Sequence, residues 1–141
     1  MQLEIKQLSK ISDKRGWLTE IINDKTDQKT KNIHYSYSEP GAIRGNHYHE
    51  HKTEWLCVTY GIGRIVLEDN LTKERKELAV SGDSPVLVKI PPKITHAIEN
   101  CDASLSMHLM VIMNEEYNST DPDTYIKLLI FPKVPQGNNS E

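Results

Sequence analysis

Apolar and polar residues alternate with a period of two along most of the chain, in short runs closed by Gly, Pro, Asn or Asp. Leu3, Ile5 and Gln7 begin the first alternation, and Asp13-Lys14-Arg15-Gly16 reads as a turn before a strand at Trp17–Asn23. Asp24–Lys31 is wholly polar and reads as a surface loop. Asn32–Ser38 places Ile33, Tyr35 and Tyr37 on one face against His34 and Ser36 on the other. Glu39-Pro40-Gly41 turns the chain. Further on, Glu54, Leu56, Val58 and Tyr60 share one strand face, and Trp55, Cys57 and Thr59 share the other. Gly61-Ile62-Gly63 is a turn, Arg64–Glu68 a short strand, and Asp69-Asn70 a hairpin signal. Lys73–Val80 alternates less cleanly. Ser81 to Pro85 turns again before Val86–Ile90, and Thr95–Glu99, Leu105–Met113 and Tyr125–Phe131 complete the strands.

No helical periodicity persists beyond about two turns, too short for a helix to be expected. Roughly ten short strands separated by Gly, Pro and Asn turns predict an all-β sandwich or barrel. A chain of 141 residues without repeats or linkers suits a single domain, expected over 1–134, with 135–141 as a disordered tail. With 37% hydrophobic and 26% charged residues the composition is that of a soluble globular protein. The net charge of −3 argues against nucleic acid or an anionic membrane as the general partner. Two cysteines, Cys57 and Cys101, give no disulfide framework. No run approaches a membrane span, and Met1–Lys6 lacks the apolar core of a signal peptide, so a cytoplasmic protein is expected.

Candidate chemistry concentrates between Gly41 and Gly61. His47 and His49 lie two residues apart, so on an extended strand both imidazoles project to one side. The polar stretch Glu50–Thr53 reads as a turn and Trp55–Tyr60 as a returning strand, a hairpin that would bring Glu54 level with the imidazoles. Pro91-Pro92-Lys93-Ile94-Thr95-His96 adds another histidine after a proline turn. Imidazoles and a carboxylate on one wall form a divalent-metal site or a proton-transfer cluster. The metal set would be His47, His49, Glu54 and His96, with zinc foremost and iron, manganese, nickel or cobalt also suited. His34, His51 and His108 read as ordinary histidines, and Trp17 as either core or a stacking surface.

The spacing Gly41-x5-His47-x-His49-x4-Glu54-x6-Gly61 resembles the first motif of the cupin superfamily at every position. Pro91 to Asn100 is similar to the second motif, departing at Lys93, where the family usually carries glycine. The resemblance implies a cupin jelly-roll β-barrel. Asp13-Lys14-Arg15-Gly16 and Arg44-Gly45-Asn46-His47-Tyr48-His49 are similar to motifs of sugar-nucleotide cupins. Those families include the dTDP-4-dehydrorhamnose 3,5-epimerases and the dTDP-sugar 3,4-ketoisomerases. With His96-Ala97-Ile98-Glu99-Asn100 and Asp121-Pro122-Asp123-Thr124-Tyr125, the chain most resembles the C-terminal cupin domain of capsular-polysaccharide epimerase/reductases.

That resemblance implies an epimerase or ketoisomerase of surface-polysaccharide biosynthesis. It would act on a dTDP- or UDP-linked 4-keto-6-deoxy sugar by removing the proton next to the ketone. His47, His49 and Tyr60 are then candidate catalytic residues, with Tyr60 as proton donor on Glu54's face. Arg15, Arg44 and Asn46 are candidate substrate contacts, the arginines for the diphosphate. A homodimer is expected through apolar edges at Leu3/Ile5 and Leu128–Phe131, with Arg15 reaching the neighbour's site. Two other classes stay open: a metal-dependent cupin dioxygenase and a non-catalytic sugar-binding cupin.

Overall fold

The alternating pattern folds into two facing antiparallel sheets in the computed structural model, which describes residues 1–22 and 30–133. The expected strand end at Asn23, most of the polar loop 24–31 and the tail 135–141 lie outside the described residues. One five-stranded sheet runs β1 (Glu4–Gln7), β9 (Val86–Ile90), β6 (Glu54–Tyr60), β11 (Met107–Met113), β4 (Asn32–Ser38). The other runs β12 (Tyr125–Ile126), β5 (Ile43–Tyr48), β10 (Ile94–Asn100), β7 (Ile62–Asp69), β8 (Arg75–Ser81). A two-stranded hairpin, β2 (Lys10–Asp13) with β3 (Gly16–Thr19), pairs with neither. The described residues contain no helix, hence none long and apolar enough to cross a membrane.

Apart from the β7–β8 hairpin at Asp69-Asn70, each connection from β4 to β12 changes sheets, the wiring of a jelly roll. This overturns the expected hairpin between the histidines and Glu54. β5 and β6 lie in opposite sheets, so the turn after His49 is a crossover, and Glu54 faces the imidazoles from across the sandwich. Alternation then sorts the side chains. Leu56, Val58, Leu67, Ile98, Leu109 and Val111 fill the space between the sheets. Trp55, Cys57 and Ile112 face outward beneath Leu8, Ile21 and Ile22. Ile43, Val66 and Ala97, on the outer face of the other sheet, are covered by Leu129 and Ile130.

Two β-bulges break the period of two, and each moves a residue that the sequence placed elsewhere. In β5, His47 opposes His96 and Gly45 opposes Ala97, which leaves Asn46 as the extra residue. Gly45 and Asn46 both take positive φ (81° and 56°), and a Cβ on Gly45 would stand 2.8 Å from the His96 carbonyl oxygen. Only glycine fits there. Because of this bulge Arg44 and His47, three apart, both face inward. In β6, Val58 opposes Leu109 while Tyr60 opposes His108, leaving Thr59 as the extra residue. Tyr60 therefore does not share the face of Glu54. It lies half exposed on the outside of the sheet, its ring 5.1 Å from that of His108.

The chain end also differs from expectation. Tyr125–Phe131 was expected as one strand, but the strand stops at Ile126 and the remainder straps the second sheet. Asn46 causes this, since its amide substitutes for a strand partner. Its Nδ2 donates to Ile130 O at 2.8 Å, and its Oδ1 accepts from the main-chain N–H of Leu129 (2.8 Å) and Ile130 (3.0 Å). The strap then buries Leu129 and Ile130, each worth about 1.5–3 kcal/mol.

Candidate metal centre

His47, His49, Glu54 and His96 are all buried, and one ligand atom from each lies within 4.8 Å of the others. β5 supplies His47 on the inner face, and His49 follows just beyond its last residue. β10 supplies His96 directly opposite His47, and β6 begins at Glu54 on the facing sheet. Glu54 Oε2 stands 2.8 Å from His49 Nε2 and 2.8 Å from His96 Nε2. The His47 ring is edge-on to that of His96, with centroids 4.7 Å apart.

Hydrogen bonds at the other ring nitrogens set the tautomers. His49 Nδ1 donates to Asp123 O at 2.6 Å, and His96 Nδ1 donates to Ile94 O at 3.1 Å. Each neutral ring therefore aims an Nε2 lone pair at the same carboxylate oxygen, a repulsive contact until a cation or a proton lies between them. Burial by itself would raise the Glu54 carboxyl. With protons on the ring nitrogens that face it, charge on His96 and hydrogen bonds from His49 and His96 outweigh it and hold the carboxyl well below the usual range. Three imidazoles and a carboxylate, with carbonyls behind two of the rings, are the ligand and supporting sets of a divalent-metal site. The residues fit such an ion.

Asp123, without a role in the sequence reading, positions the cluster. Its Oδ1 accepts from Glu50 N–H at 2.8 Å, and its Oδ2 accepts from His51 (2.9 Å) and Lys52 (3.1 Å). Its carbonyl orients His49, and it takes a positive φ of 48° to do both. Stacking of Tyr125 on Tyr48, centroids 5.3 Å apart, seats the same segment on β5. Asp121-Pro122-Asp123-Thr124-Tyr125 is visible as a motif, but the bond from position 123 to position 49 joins residues 74 apart in the chain and leaves no local signal.

A cavity of about 430 Å³ opens beside the cluster, lined by Asn32, His34, His49, Lys52, Tyr117 and Thr124 among others. His49 is thus shared by cluster and cavity. His34, read from sequence as an ordinary histidine, faces inward on β4, its Nδ1 3.1 Å from Asn32 Oδ1. The other expected site residues are placed elsewhere. Arg44 faces inward but donates from Nε to Ser38 Oγ and from a terminal nitrogen to Tyr37 O, each at 2.7 Å. Arg15 sits on the exposed β2–β3 turn, paired with Asp13. Trp17 is half exposed on the same hairpin under the Lys10 ammonium, 4.0 Å from its ring centroid. The Asn46 amide, expected at the substrate, is wholly engaged with main chain, and Tyr60 faces away from the cluster.

A double-sheet antiparallel barrel with His-x-His on one sheet, Glu on the other and a further His alongside defines a cupin. The chain belongs to the polysaccharide biosynthesis C-terminal domain family, whose pattern matches residues 11–125. It is 33% identical over 114 residues to the UDP-2-acetamido-2,6-beta-L-arabino-hexul-4-ose reductase of Pseudomonas aeruginosa, covering 81% of this chain and 30% of the relative. The capsular polysaccharide assembling protein CapF of Staphylococcus aureus superposes with a TM-score of 0.65 at 36% identity, over 85% of this chain and 32% of CapF. The chain thus spans about a third of the length of both proteins. QdtA of Thermoanaerobacterium thermosaccharolyticum, a sugar 3,4-ketoisomerase in complex with TDP, superposes with a TM-score of 0.70 at 25% identity, over 87% of this chain and 86% of QdtA.

Asp123 yields a test with a defined sign. Burial would raise its carboxyl, but three main-chain N–H groups outweigh that and lower it below the ordinary carboxylate value. Its stabilisation is therefore present above the unfolded value of about 3.9 and is lost as pH falls through the lower folded value. Asp123→Asn should destabilise the protein by about 1.5–3 kcal/mol at neutral pH. Urea unfolding should show the gap to wild type narrowing below about pH 4. A gap of constant size across that range would contradict the assignment.

Proposed function

We propose that the protein is an epimerase or 3,4-ketoisomerase acting on a dTDP- or UDP-linked 4-keto-6-deoxy sugar in surface-polysaccharide biosynthesis. The observation that carries this reading is the buried three-histidine, one-carboxylate cluster opening through His49 onto a ligand-sized cavity. Two relatives support the substrate class. The Pseudomonas aeruginosa reductase is named for a UDP-linked hexul-4-ose, and QdtA is a sugar ketoisomerase that holds TDP.

His47, His49, Glu54 and His96 are the residues that would hold the ion, with zinc the first choice for this donor set. A bound divalent ion supplies Lewis-acid polarisation of the ketone, which acidifies the neighbouring C–H. With three imidazoles committed to ligation, proton transfer falls to His34, the other imidazole of the cavity. Its Nδ1 proton is donated to Asn32 Oδ1, which makes Nε2 the atom that takes up the sugar proton. Delivery of a proton from the opposite face to the same carbon gives epimerisation; delivery to the former carbonyl carbon, with the neighbouring hydroxyl losing its proton to become the new ketone and the old ketone oxygen gaining one, transposes the ketone. A second reading rests on His49. Its Nδ1–H is fixed by Asp123 O and it lines the cavity, so in an ion-free protein His49 Nε2 is itself the base, with His47 beside it. Arg44 remains our candidate diphosphate contact outside the cavity, one that must release Ser38 and Tyr37 to reach the ligand.

The assembly we propose is a homodimer. Hairpin β2–β3 joins neither main sheet, exposes Ile11, Trp17 and Leu18, and carries Arg15 at its turn, where a second subunit would cover it. Within the Leu128–Phe131 edge, Leu129 and Ile130 cover the protein's own sheet, while Leu128 and Phe131 stay exposed for a second subunit. Sedimentation at micromolar concentration should give twice the monomer mass, and a monomeric mass would remove the dimer.

The activity is tested by solvent exchange. In deuterium oxide, a 4-keto-6-deoxy nucleotide sugar should gain deuterium at a carbon next to the ketone, and His34→Asn should slow this by about 10²–10⁴-fold. Removing the ion with a chelator should abolish the exchange, and divalent metal should restore it. Full exchange in the chelated protein with loss only in His49→Asn would replace the metal-assisted reading with the His49 base. Absence of exchange with both dTDP- and UDP-linked substrates would refute the isomerase.

A further inference from the structure

Lys52 is the one lysine among the buried residues of the described chain, 6% exposed, and its side chain lines the cavity beside His49 and His34. Its main-chain N–H is fixed by Asp123 Oδ2, which sets the direction in which the side chain leaves the crossover. The ammonium donates to Pro122 O at 2.9 Å and lies 5.8 Å from the ring centroid of Tyr117; both residues line the same cavity. Among the described residues no carboxylate lies within ion-pair distance of it. An ammonium has three donors, and one carbonyl and a ring face do not neutralise it. A buried cation without a counter-charge is costly to the fold, and it becomes favourable when an anion enters the cavity. Neither arginine expected from sequence to bind an anionic ligand lines this cavity, since Arg15 is paired on its own turn and Arg44 is bound to Ser38 and Tyr37.

We propose that Lys52 is the oxyanion-recognition residue of the cavity, its ammonium bound to a negatively charged oxygen of the ligand. The nucleotide-sugar reading offers two sources for that oxygen: a phosphate, or the ketone oxygen as it gains charge on loss of the neighbouring proton. The proposal takes the identity of its ligand from that reading, whereas the charge itself is a property of this chain. A structural role, clamping Pro122 alone, makes a different prediction.

The test compares wild type, Lys52→Met and Lys52→Arg in their purified, metal-loaded form. Binding of pyrophosphate and of UDP and dTDP is measured by calorimetry, and deuterium exchange by saturating 4-keto nucleotide sugar. If the oxygen is a phosphate's, Lys52→Met weakens pyrophosphate and nucleotide binding at least about tenfold, and Lys52→Arg retains most of it. If it is the ketone's, nucleotide affinity is kept and the exchange rate at saturation falls by a similar factor. In either case metal content stays at the wild-type value and the thermal midpoint does not fall. Unchanged binding and exchange in Lys52→Met overturns the proposal, as does a loss matched by falls in midpoint and metal content. Should wild type bind no nucleotide and exchange nothing, the isomerase reading fails. Lys52 is then judged on pyrophosphate alone: binding that the Met variant loses supports the proposal, and no binding to wild type overturns it.

Discussion

The buried carboxylate of Glu54 is the constraint on which the rest of the structure depends. At 1% exposure it has lost its water, a cost of several kcal/mol for an ionised group, which a cation or protons shared with the imidazole nitrogens 2.8 Å away offset. Such a group is tolerated only where the fold delivers its partners to fixed places. Here they come from the sheet that faces its own, so the cluster also ties the two halves of the barrel together. Removing one partner would leave charge or lone pairs facing each other without water, which makes the four residues interdependent rather than additive.

The surrounding structure acts to hold that geometry. The bulge at Gly45 and Asn46 turns His47 inward opposite His96 and frees the Asn46 side chain to bind the strap. The strap continues the segment from which Asp123 reaches back to the crossover, fixing the main chain at residues 50–52 and the ring of His49. A local departure from regular β geometry is thus linked, through two long-range polar contacts, to the orientation of the His49 imidazole. The same crossover carries Lys52 into the cavity, so this wall of the cavity is anchored by the residue that orients its histidine.

Much of this was legible in the chain because it is local. A period of two survives in nearly every strand, and His47, His49, Glu54 and His96 stood out as a set by spacing and residue type. What was hidden depends on contacts that spacing does not encode. A one-residue bulge at Thr59 reverses the facing of Tyr60, and nothing in Tyr-Gly-Ile-Gly announces it. A polar turn of four residues suits a hairpin as well as a crossover, so Glu54 was placed beside the histidines rather than opposite them. Asn46 was read as a substrate contact because it sits inside the motif, yet its amide completes main-chain bonds 83 and 84 residues away. His34 shares a strand face with Ser36, which gave no sign that this face lines the cavity.

The central claim is that these four side chains form a metal site. Elemental analysis of protein never exposed to chelator, combined with anomalous diffraction at the edge of whichever metal is found, tests it most directly. The account predicts about one divalent ion per chain, with an anomalous peak bounded by His47, His49, Glu54 and His96. Well under one equivalent and no peak among those residues would contradict it, and would leave Glu54 balanced by protonated imidazoles instead.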